Sequence, residues 1–283
     1  MYLHMDYIIF DLEWSRNIKR VIPKCPDEII QIGAVKYDKN LKYKGSFNRF
    51  IKPGVYDRID HKVEEITGIT RDHLLRFGVP FSEAFREFKA FMGHDSVLMS
   101  WGAQDIQILR VNAQYYDKNA KLNFMHRFAD LQKFAAKQLN EGEKQQIGLK
   151  TAADLCQIAY EEETLHDAHV DAEISGKVFA KVFDRKLFSG YIYNAAQQQK
   201  KPESADKKGQ DKQMQFLCPD CGGQLKNKSG WYCDVRCGFA LMRCNRCKKS
   251  LLVSVETYTD REGKKRRKKR LRFVEKKKDI NSL

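Results

Sequence analysis

The sequence of 283 residues lacks long hydrophobic segments. No apolar run approaches the roughly 20 residues that a membrane-spanning helix needs. The opening residues, 1–6, also lack the basic stretch and the apolar segment of a secretory signal peptide. From these absences we expect a cytoplasmic protein that has no membrane partner.

Cysteine is scarce outside one region of the chain. Only Cys25 and Cys156 lie elsewhere, and no histidine follows His169. The other six cysteines are Cys218, Cys221, Cys233, Cys237, Cys244 and Cys247. In a cytosolic chain such clustering indicates metal binding rather than disulfides. Without a nearby histidine, one structural zinc there would be held by four thiolates at about 2.3 Å, a closed site with no open catalytic position.

Two sets of four cysteines are candidates for this zinc site. The segment 218–223 has the sequence CPDCGG and looks like a zinc knuckle, in which glycines let backbone amides turn toward the thiolates. The segment 231–239 resembles the four-cysteine fingers of bacterial topoisomerase tails, which favours the set Cys218, Cys221, Cys233 and Cys237. A conventional zinc ribbon would use Cys244 and Cys247 as the second pair. Six thiolates cannot all bind one tetrahedral ion, so both sets stay open.

Positive charge is concentrated near the carboxyl end. Residues 1–190 carry 28 basic and 27 acidic groups, whereas residues 191–283 carry 24 basic and 10 acidic groups, a net charge of +14. The stretch 191–215 is polar, with too few apolar residues to build a core. We therefore predict a domain over 1–190, a linker over 191–215, and a small zinc-ribbon-like module over 216–283.

The module ends in a basic segment. Residues 251–258 read as a strand, 260–263 as a turn, and 264–270 are seven consecutive cations. Alternation through Leu271 and Phe273 permits a returning strand, so the segment would form a basic hairpin or remain a tail. Either form would attract phosphates, which makes nucleic acid the expected partner. A solvated charge run is the alternative.

The most informative residues are two early carboxylates, Asp11 and Glu13. They belong to the run 7–13, whose apolar residues predict a buried strand. Residues two apart on a strand point to the same side, so both carboxylates would crowd one place. Like charges this close are unfavourable unless a cation neutralises them, which indicates a site for a hard divalent metal. If this motif is considered alone, the alternative to a metal site is a solvated strand end with no bound ion.

Two later segments add acidic residues and a histidine. An apolar strand runs into Trp101, and Asp105 would then open a helix over 106–115. A further helical pattern begins near residue 165, and its spacing would turn His166 and Asp171 toward a common cleft. These positions are strand and helix ends, where open α/β sheets place their ligand sites.

Together these motifs resemble the DEDDh 3′-to-5′ exonucleases, the superfamily of RNase T and the DnaQ-like proofreading subunits. The motifs are Asp11-x-Glu13, Trp101-Gly102-x-x-Asp105 and His166-x-x-x-x-Asp171. Segments 28–35 and 50–53 are similar to the family's second and third strands, 66–70 to a characteristic loop, and 148–150 to the start of a helix. The resemblance covers about residues 5–185. Within the family, the Trp101-Gly102 pair favours the KapD-like branch.

The resemblance implies an α/β fold of the ribonuclease H type, a mixed sheet flanked by helices. It also implies hydrolysis at single-stranded or frayed 3′ ends of RNA or DNA, with release of nucleoside 5′-monophosphates by a two-metal mechanism. Mg²⁺ or Mn²⁺ suits an all-oxygen site. The implied ligands are Asp11, Glu13, Asp105 and Asp171. His166 would be the general base, because imidazole can accept a proton at neutral pH.

Several neighbouring residues need separate interpretation. His169 is a rival to His166, although the family spacing favours His166. Asp167 stands where the tyrosine variant of the family would carry tyrosine, so that branch is not expected. Trp14 follows the acidic motif where the family usually has a smaller residue, and it would either stack on the terminal base or pack at the rim. The substrate-binding candidates are Leu12, Trp14, Ser15 and Trp101.

Two other function classes are compatible with parts of the sequence. One is a nucleic-acid-binding or scaffolding protein built on an inactive exonuclease fold, but all five catalytic positions are filled. The other is a zinc-dependent hydrolase, which would need a zinc ion with an open position that four thiolates do not provide. The choice between RNA and DNA depends on contacts to the 2′-hydroxyl that no motif specifies. Oligomeric state is not predicted.

Overall fold

A computed structural model of the protein describes residues 5–16, 22, 24–117, 122, 125–139, 146–194, 216–228, 232–233, 237–259 and 265–273. The chain divides into two compact units, Met1–Val21 with Cys25–Lys200 and Ile22–Lys24 with Lys201–Leu283. Each unit has its own sheet and is described by itself. Within the described ranges, no helix has the length and apolar character needed to cross a membrane.

The first unit is built on a six-stranded mixed sheet with the strand order β3-β2-β1-β4-β5-β6. Its strands are β1 (Asp6–Ser15), β2 (Glu28–Tyr37), β3 (Tyr43–Phe50), β4 (Ser96–Ser100), β5 (Arg127–Asp130) and β6 (Ile192–Asn194). Strand β1 pairs antiparallel with β2 and parallel with β4, and β4 pairs parallel with β5. Strands β3 and β6 are the antiparallel edges. The predicted α/β mixed sheet is confirmed.

Helices cover both faces of this sheet. They are α1 (His61–Thr67), α2 (Arg71–Phe77), α3 (Phe81–Met92), α4 (Gln104–Tyr116), α5 (Leu131–Leu139), α6 (Leu149–Leu155), α7 (Ala168–Val182) and α8 (Arg185–Ser189). Successive side chains of β1 point to opposite faces of the sheet and contribute to two hydrophobic cores. Ile8, Phe10 and Leu12 pack with residues of α3 and α4, whereas Tyr7 and Ile9 pack with residues of α5, α7 and α8.

The prediction that a helical pattern already includes His166 was wrong in its boundary. Helix α7 begins at Ala168, and His166 lies before it with a left-handed φ of 68°. The Asp167 side chain caps the helix by accepting hydrogen bonds from the backbone N–H groups of His169 and Val170. This cap stops the helix from extending back toward His166.

Two further boundaries differ from the predictions. The third strand runs over Tyr43–Phe50, ahead of the predicted 50–53, where Ile51 forms only an isolated bridge to Val79. Strand β6 falls within the predicted linker 191–215 and pairs with β5, so the first unit extends at least to Asn194. The rest of the predicted linker, 195–215, lies outside the described residues.

The second unit is a five-stranded antiparallel sheet with the order β11-β10-β9-β7, and β8 pairs with β9. Its strands are β7 (Leu225–Asn227), β8 (Tyr232–Cys233), β9 (Cys237–Cys244), β10 (Ser250–Thr259) and β11 (Lys265–Phe273). One sheet face, which includes Leu251, Val253 and Leu271, builds a small core with Phe216 and Leu225. The returning strand allowed by the sequence is present as β11, while the predicted turn at 260–263 lies outside the described residues.

Candidate active site

Asp11 and Glu13 project from the face of the sheet that packs against α7. They continue the alternation of Tyr7 and Ile9, which lie in the core that α7 helps to build. The pairing of β1 with β4 extends only as far as Ile9 opposite Met99, so both carboxylates lie beyond the last parallel pair. Because β4 no longer pairs with β1 at this point, that side of the strand leaves room for residues from helices.

Asp105 enters the site from the first turn of α4. It is buried, and its carboxylate accepts hydrogen bonds from its own backbone N–H and from that of Leu12. An aspartate in the first helical turn is also favoured by the helix dipole. The bond to Leu12 therefore attaches the beginning of α4 to β1 between the two carboxylates of the acidic pair.

His166 and Asp171 reach the site from the segment around the start of α7. The His166 backbone N–H donates to the Asp171 carboxylate. The side chains of Glu13, His166 and Asp171 offer ligand atoms that all lie within 4.8 Å of one another. His166 is exposed, whereas the other two are partly buried. The structure thus brings a histidine ring and two carboxylates from distant parts of the sequence to one point.

The carboxylates of this site repel one another. Burial raises the pKa of Asp11 well above its ordinary range, and Asp105, Asp171, Glu13 and Asp167 raise it further. Burial raises the pKa of Glu13 to about 8, with added contributions from three of the same carboxylates. The pKa of Asp105 is also raised, again mainly by burial. Without a cation, this set of buried and partly buried acids is electrostatically unfavourable.

The donor set fits a hard divalent cation. All four motif carboxylates supply oxygen atoms, which Mg²⁺ and Mn²⁺ prefer. Oδ1 of Asp171 is buried and receives no hydrogen bond from the part of the chain that the structure describes. A buried oxygen without a donor is costly, and a bound cation would compensate it. Both the mutual repulsion of the carboxylates and the unpaired Asp171 oxygen are expected for the ligands of a metal ion when they are considered without that ion.

The comparison with protein-family models decides the family. The RNase T exonuclease model matches residues 8–179, more than half of the chain and all of the motif residues. The chain belongs to the RNase T exonuclease family. This membership confirms the predicted nuclease class and implies dependence on divalent metal ions.

Solved structures share the fold of this family member. The nuclease domain of 3′hExo, a DEDDh family member bound to rAMP, is 18% identical, with a TM-score of 0.54 over 67% of this chain and 94% of that one. Cell-death related nuclease 4 is 16% identical, with a TM-score of 0.52 over 67% of this chain and 65% of that one. Exonuclease I is 17% identical, with a TM-score of 0.51 over 89% of this chain and 55% of that one. No curated protein sequence matches the chain.

Two of the substrate-binding candidates have structural roles. The Leu12 side chain is only 1% exposed and lies in the core, so only its backbone belongs to the site. Ser15 is fully buried, and its hydroxyl accepts a hydrogen bond of 2.9 Å from the Asp60 backbone N–H. Neither side chain has surface available for a substrate.

The two tryptophan candidates are both partly buried. Trp14 packs against the core that α3 and α4 help to build, next to a shift in the register of β1 with β2 between Glu13 and Trp14. Trp101 packs against two hydrophobic clusters, and its Nε1–H donates to the Ile147 carbonyl at 3.0 Å. This bond fixes the Trp101 ring as a support for the α6 region. Trp14 is partly exposed and remains the candidate for stacking.

The sequence motifs did not identify three residues that hold the start of α7. Asp167 caps the helix, and the fully buried Gln31 of β2 donates to the Asp167 carboxylate at 3.1 Å. Gly33 lets the helix approach the sheet, because a Cβ there would lie 2.1–2.2 Å from backbone atoms of Ala168 and His169. The signals were present, since Asp is a preferred cap and Gln31 is polar within a buried strand.

The second unit brings four thiols together. Ligand atoms of Cys218, Cys221, Cys244 and Cys247 all lie within 4.8 Å of one another. The Sγ atoms of Cys218 and Cys247 are 3.7 Å apart, and those of Cys221 and Cys244 are 3.4 Å apart. A tetrahedral zinc with bonds of about 2.3 Å would separate its sulfurs by about 3.8 Å. The thiol spacing is therefore close to that of a zinc site.

This geometry favours the zinc-ribbon set over the set with Cys233 and Cys237. Cys237 and Cys244 begin and end β9, and seven residues of strand span about 23 Å. Cys233 pairs with Gly238, near the same far end of β9. The side chains of Cys233 and Cys237 lie outside the described part of the structure, but their backbone positions separate them from the four clustered thiols.

Proposed function

We propose that this protein is a DEDDh 3′-to-5′ exonuclease, of the KapD-like branch and cytoplasmic, that releases nucleoside 5′-monophosphates from single-stranded or frayed 3′ ends. The observation that carries the proposal is the meeting of Glu13, His166 and Asp171 within 4.8 Å, beside Asp11 and Asp105. An imidazole within 4.8 Å of two partly buried carboxylates, with two more acids beside them, is the arrangement that hydrolysis of a phosphodiester by water requires.

The residues of the site have separate roles in this proposal. Asp11, Glu13, Asp105 and Asp171 would hold two Mg²⁺ or Mn²⁺ ions. These cations, when bound, stabilise the negative charge that develops on the attacking and leaving oxygens. The exposed His166 ring takes a proton from the attacking water. Water oxygen then bonds to phosphorus, the bond from phosphorus to the 3′ oxygen breaks, and that oxygen takes a proton from solvent water and leaves as a hydroxyl.

The direction of attack is tested with end-labelled oligonucleotides. Single-stranded RNA and DNA of one sequence would each carry a label at the 3′ end or the 5′ end, with Mg²⁺ or Mn²⁺ present. We expect labelled 5′-monophosphate as the first product from the 3′-labelled strands, and a ladder of shortening products from the 5′-labelled strands. Labelled mononucleotide released first from the 5′ end would refute the direction. Binding of the strands without any hydrolysis would instead support the scaffolding alternative.

The second unit supplies a surface for the nucleic acid. On β11, residues 266–270 are exposed, and the strand register places Lys268 and Arg270 on the sheet face opposite the small core. Lys226 and Arg243 form a cross-strand pair on the same face, and both are exposed. Partly buried Leu241 and Leu252 lie between the cations, which suits phosphates together with unpaired bases.

We predict that charge reversal on this open face weakens binding more than the same reversal on the core side. The double variant Lys268→Glu/Arg270→Glu and its control Arg267→Glu/Lys269→Glu change the same charge in the same strand, but on opposite faces. For a labelled single strand, the slope of log K against log salt should become shallower by about 0.7 for each lost phosphate contact, only in the first variant. Equal losses in both would show that net charge alone attracts the strand.

One structural zinc would complete the second unit, held by the four clustered thiols. We predict that Cys244→Ser abolishes stoichiometric zinc, whereas Cys237→Ser retains about one equivalent, because Cys237 starts β9 about 23 Å from Cys244. Zinc content is measured colorimetrically on purified protein after denaturation. Loss of zinc in Cys237→Ser with retention in Cys244→Ser would restore the topoisomerase-like ligand set.

A further inference from the structure

Gln31 is a fully buried amide in β2, opposite Glu13 in the strand register. A buried polar side chain is costly unless its hydrogen bonds are satisfied. Gln31 Nε2 donates to Asn48 Oδ1 and to Asp167 Oδ2, each at 3.1 Å. Its Oε1 accepts from the backbone N–H of Ala168 at 3.2 Å. Two of these three bonds hold the residues that begin α7.

The chemistry of its partners fixes the direction of these bonds. The Ala168 N–H can only donate, so it must face Gln31 Oε1, and the Asp167 carboxylate accepts, so it must face Nε2. The other Asp167 oxygen, Oδ1, accepts from the N–H groups of His169 and Val170 at 2.9 and 3.2 Å. Asp167 therefore connects the amide in the sheet with the first turn of the helix.

The segment held in this way carries two residues of the active site. His166 immediately precedes Asp167 and has a left-handed φ of 68°, which costs energy for a residue other than glycine. The Asp171 N–H donates to the Asp167 carbonyl at 2.9 Å, and the Asp171 carboxylate receives the His166 N–H. Movement of Asp167 would therefore displace both His166 and Asp171.

We propose that Gln31 and Asp167 form a positioning pair that holds His166 and Asp171 against Glu13. Neither residue needs to touch the substrate for this role. The catalytic consequence rests on the exonuclease function proposed above, but the geometric role does not. The proposal is specific because the pair works only with a donor at one position and an acceptor at the other.

An exchange of the two functional groups tests the pair. Gln31→Glu places a carboxylate against the Asp167 carboxylate, and Asp167→Asn leaves two amides that cannot satisfy both the helix cap and Gln31 Nε2. The double variant Gln31→Glu/Asp167→Asn reverses the bond, because the new amide nitrogen at position 167 donates to the new carboxylate at position 31. The amide oxygen at position 167 still caps the helix, and the carboxylate at position 31 still accepts from Ala168. Net charge and side-chain size are the same as in the wild type.

We expect each single variant to weaken Mn²⁺ binding and slow single-turnover hydrolysis by about 10- to 100-fold, the usual effect of losing a residue that orients metal ligands. The double variant should recover most of both losses. Independent effects would instead multiply. Mn²⁺ affinity is measured by electron paramagnetic resonance, hydrolysis by rapid quench, and Tm by calorimetry. Recovery of Tm without recovery of Mn²⁺ affinity or rate would mean that the pair only stabilises the fold, and would overturn the proposal.

Asn48→Asp is the matched control, because it adds a negative charge 3.1 Å from Gln31 Nε2 while leaving the bonds to Asp167 and Ala168 in place. We expect Mn²⁺ affinity and rate within about threefold of wild type, as for a change that leaves the ligands oriented. An Asn48→Asp defect as large as that of Gln31→Glu would attribute the effect to charge alone and overturn the pair. If the wild type hydrolyses nothing, the exonuclease function fails, while the Mn²⁺ affinities still decide the positioning role.

Discussion

Asp11→Asn is expected to lower the rate of hydrolysis by about 10³-fold or more while the protein stays folded. The substitution keeps the volume of the side chain but removes one charge from the proposed metal-binding set. Asp11 lies between Asp105, Asp171 and Glu13, all of which raise its pKa. Its charge therefore contributes more to cation binding than that of an isolated surface carboxylate. The measurement is steady-state release of mononucleotide from a labelled single strand.

The same substitution should raise the Tm of the metal-free protein. Burial raises the pKa of Asp11, and it raises that of Glu13 to about 8. A carboxyl whose pKa is higher in the folded than in the unfolded state binds more protons when folded, so stability falls as pH rises from about 4 toward the folded pKa. Asp11→Asn removes one such group. The fall in Tm as the pH rises above about 4 should be smaller than in the wild type.

The isosteric control is Asp38→Asn, because Asp38 lies just beyond the end of β2, five residues after Gly33, the partner of Asp11. It should change neither the rate nor the slope of Tm against pH appreciably. Wild-type turnover by purified Asp11→Asn would remove this residue from the catalytic set and contradict the two-metal assignment.

His166→Ala is expected to slow single-turnover hydrolysis by about 10²–10⁴-fold, the usual contribution of a general base. His169→Ala should have a much smaller effect. The His166 ring lies within 4.8 Å of ligand atoms of Glu13 and Asp171. His169 is in the first turn of α7, and its Nε2 lies 3.6 Å from Glu173 on the same helix. Geometry therefore agrees with the family spacing in favouring His166.

A second variant separates loss of the base from strain in the backbone. His166 has a positive φ, which asparagine tolerates better than alanine. His166→Asn should keep the turn and the Tm but show the same loss of rate as His166→Ala. A large loss in His169→Ala with normal rates in both His166 variants would identify His169 as the base.

Local pattern was sufficient for the fold class and for the acidic motif. The apolar run before Asp11 predicted β1, and alternation placed Asp11 and Glu13 on one side, because a strand has a fixed period of two. The helix opened by Asp105 also formed, although it starts at Gln104. These features depend on residues close together in sequence, so periodicity and helix-start signals detect them.

The boundaries of helices and the contacts that support the active site were harder to predict from the sequence. The start of α7 was placed too early because an i, i+5 spacing was read as helical, whereas Asp167 caps the helix after a left-handed His166. The burial of Ser15 and the bond from Trp101 to Ile147 gave these two substrate candidates structural roles. For Ser15 and Trp101, a contact with a distant segment decided the role of the side chain.

The amino-acid sequence by itself determined that this protein is built from an exonuclease-type domain with an acidic site and a basic, cysteine-rich module, because motifs and composition are local properties. Only the tertiary structure decided which cysteines meet, since β9 carries Cys244 toward Cys218 and Cys237 to its far end. It also decided that Gln31 holds Asp167 across 136 residues of chain. Contacts of this kind depend on strand register and helix approach, which no single segment encodes.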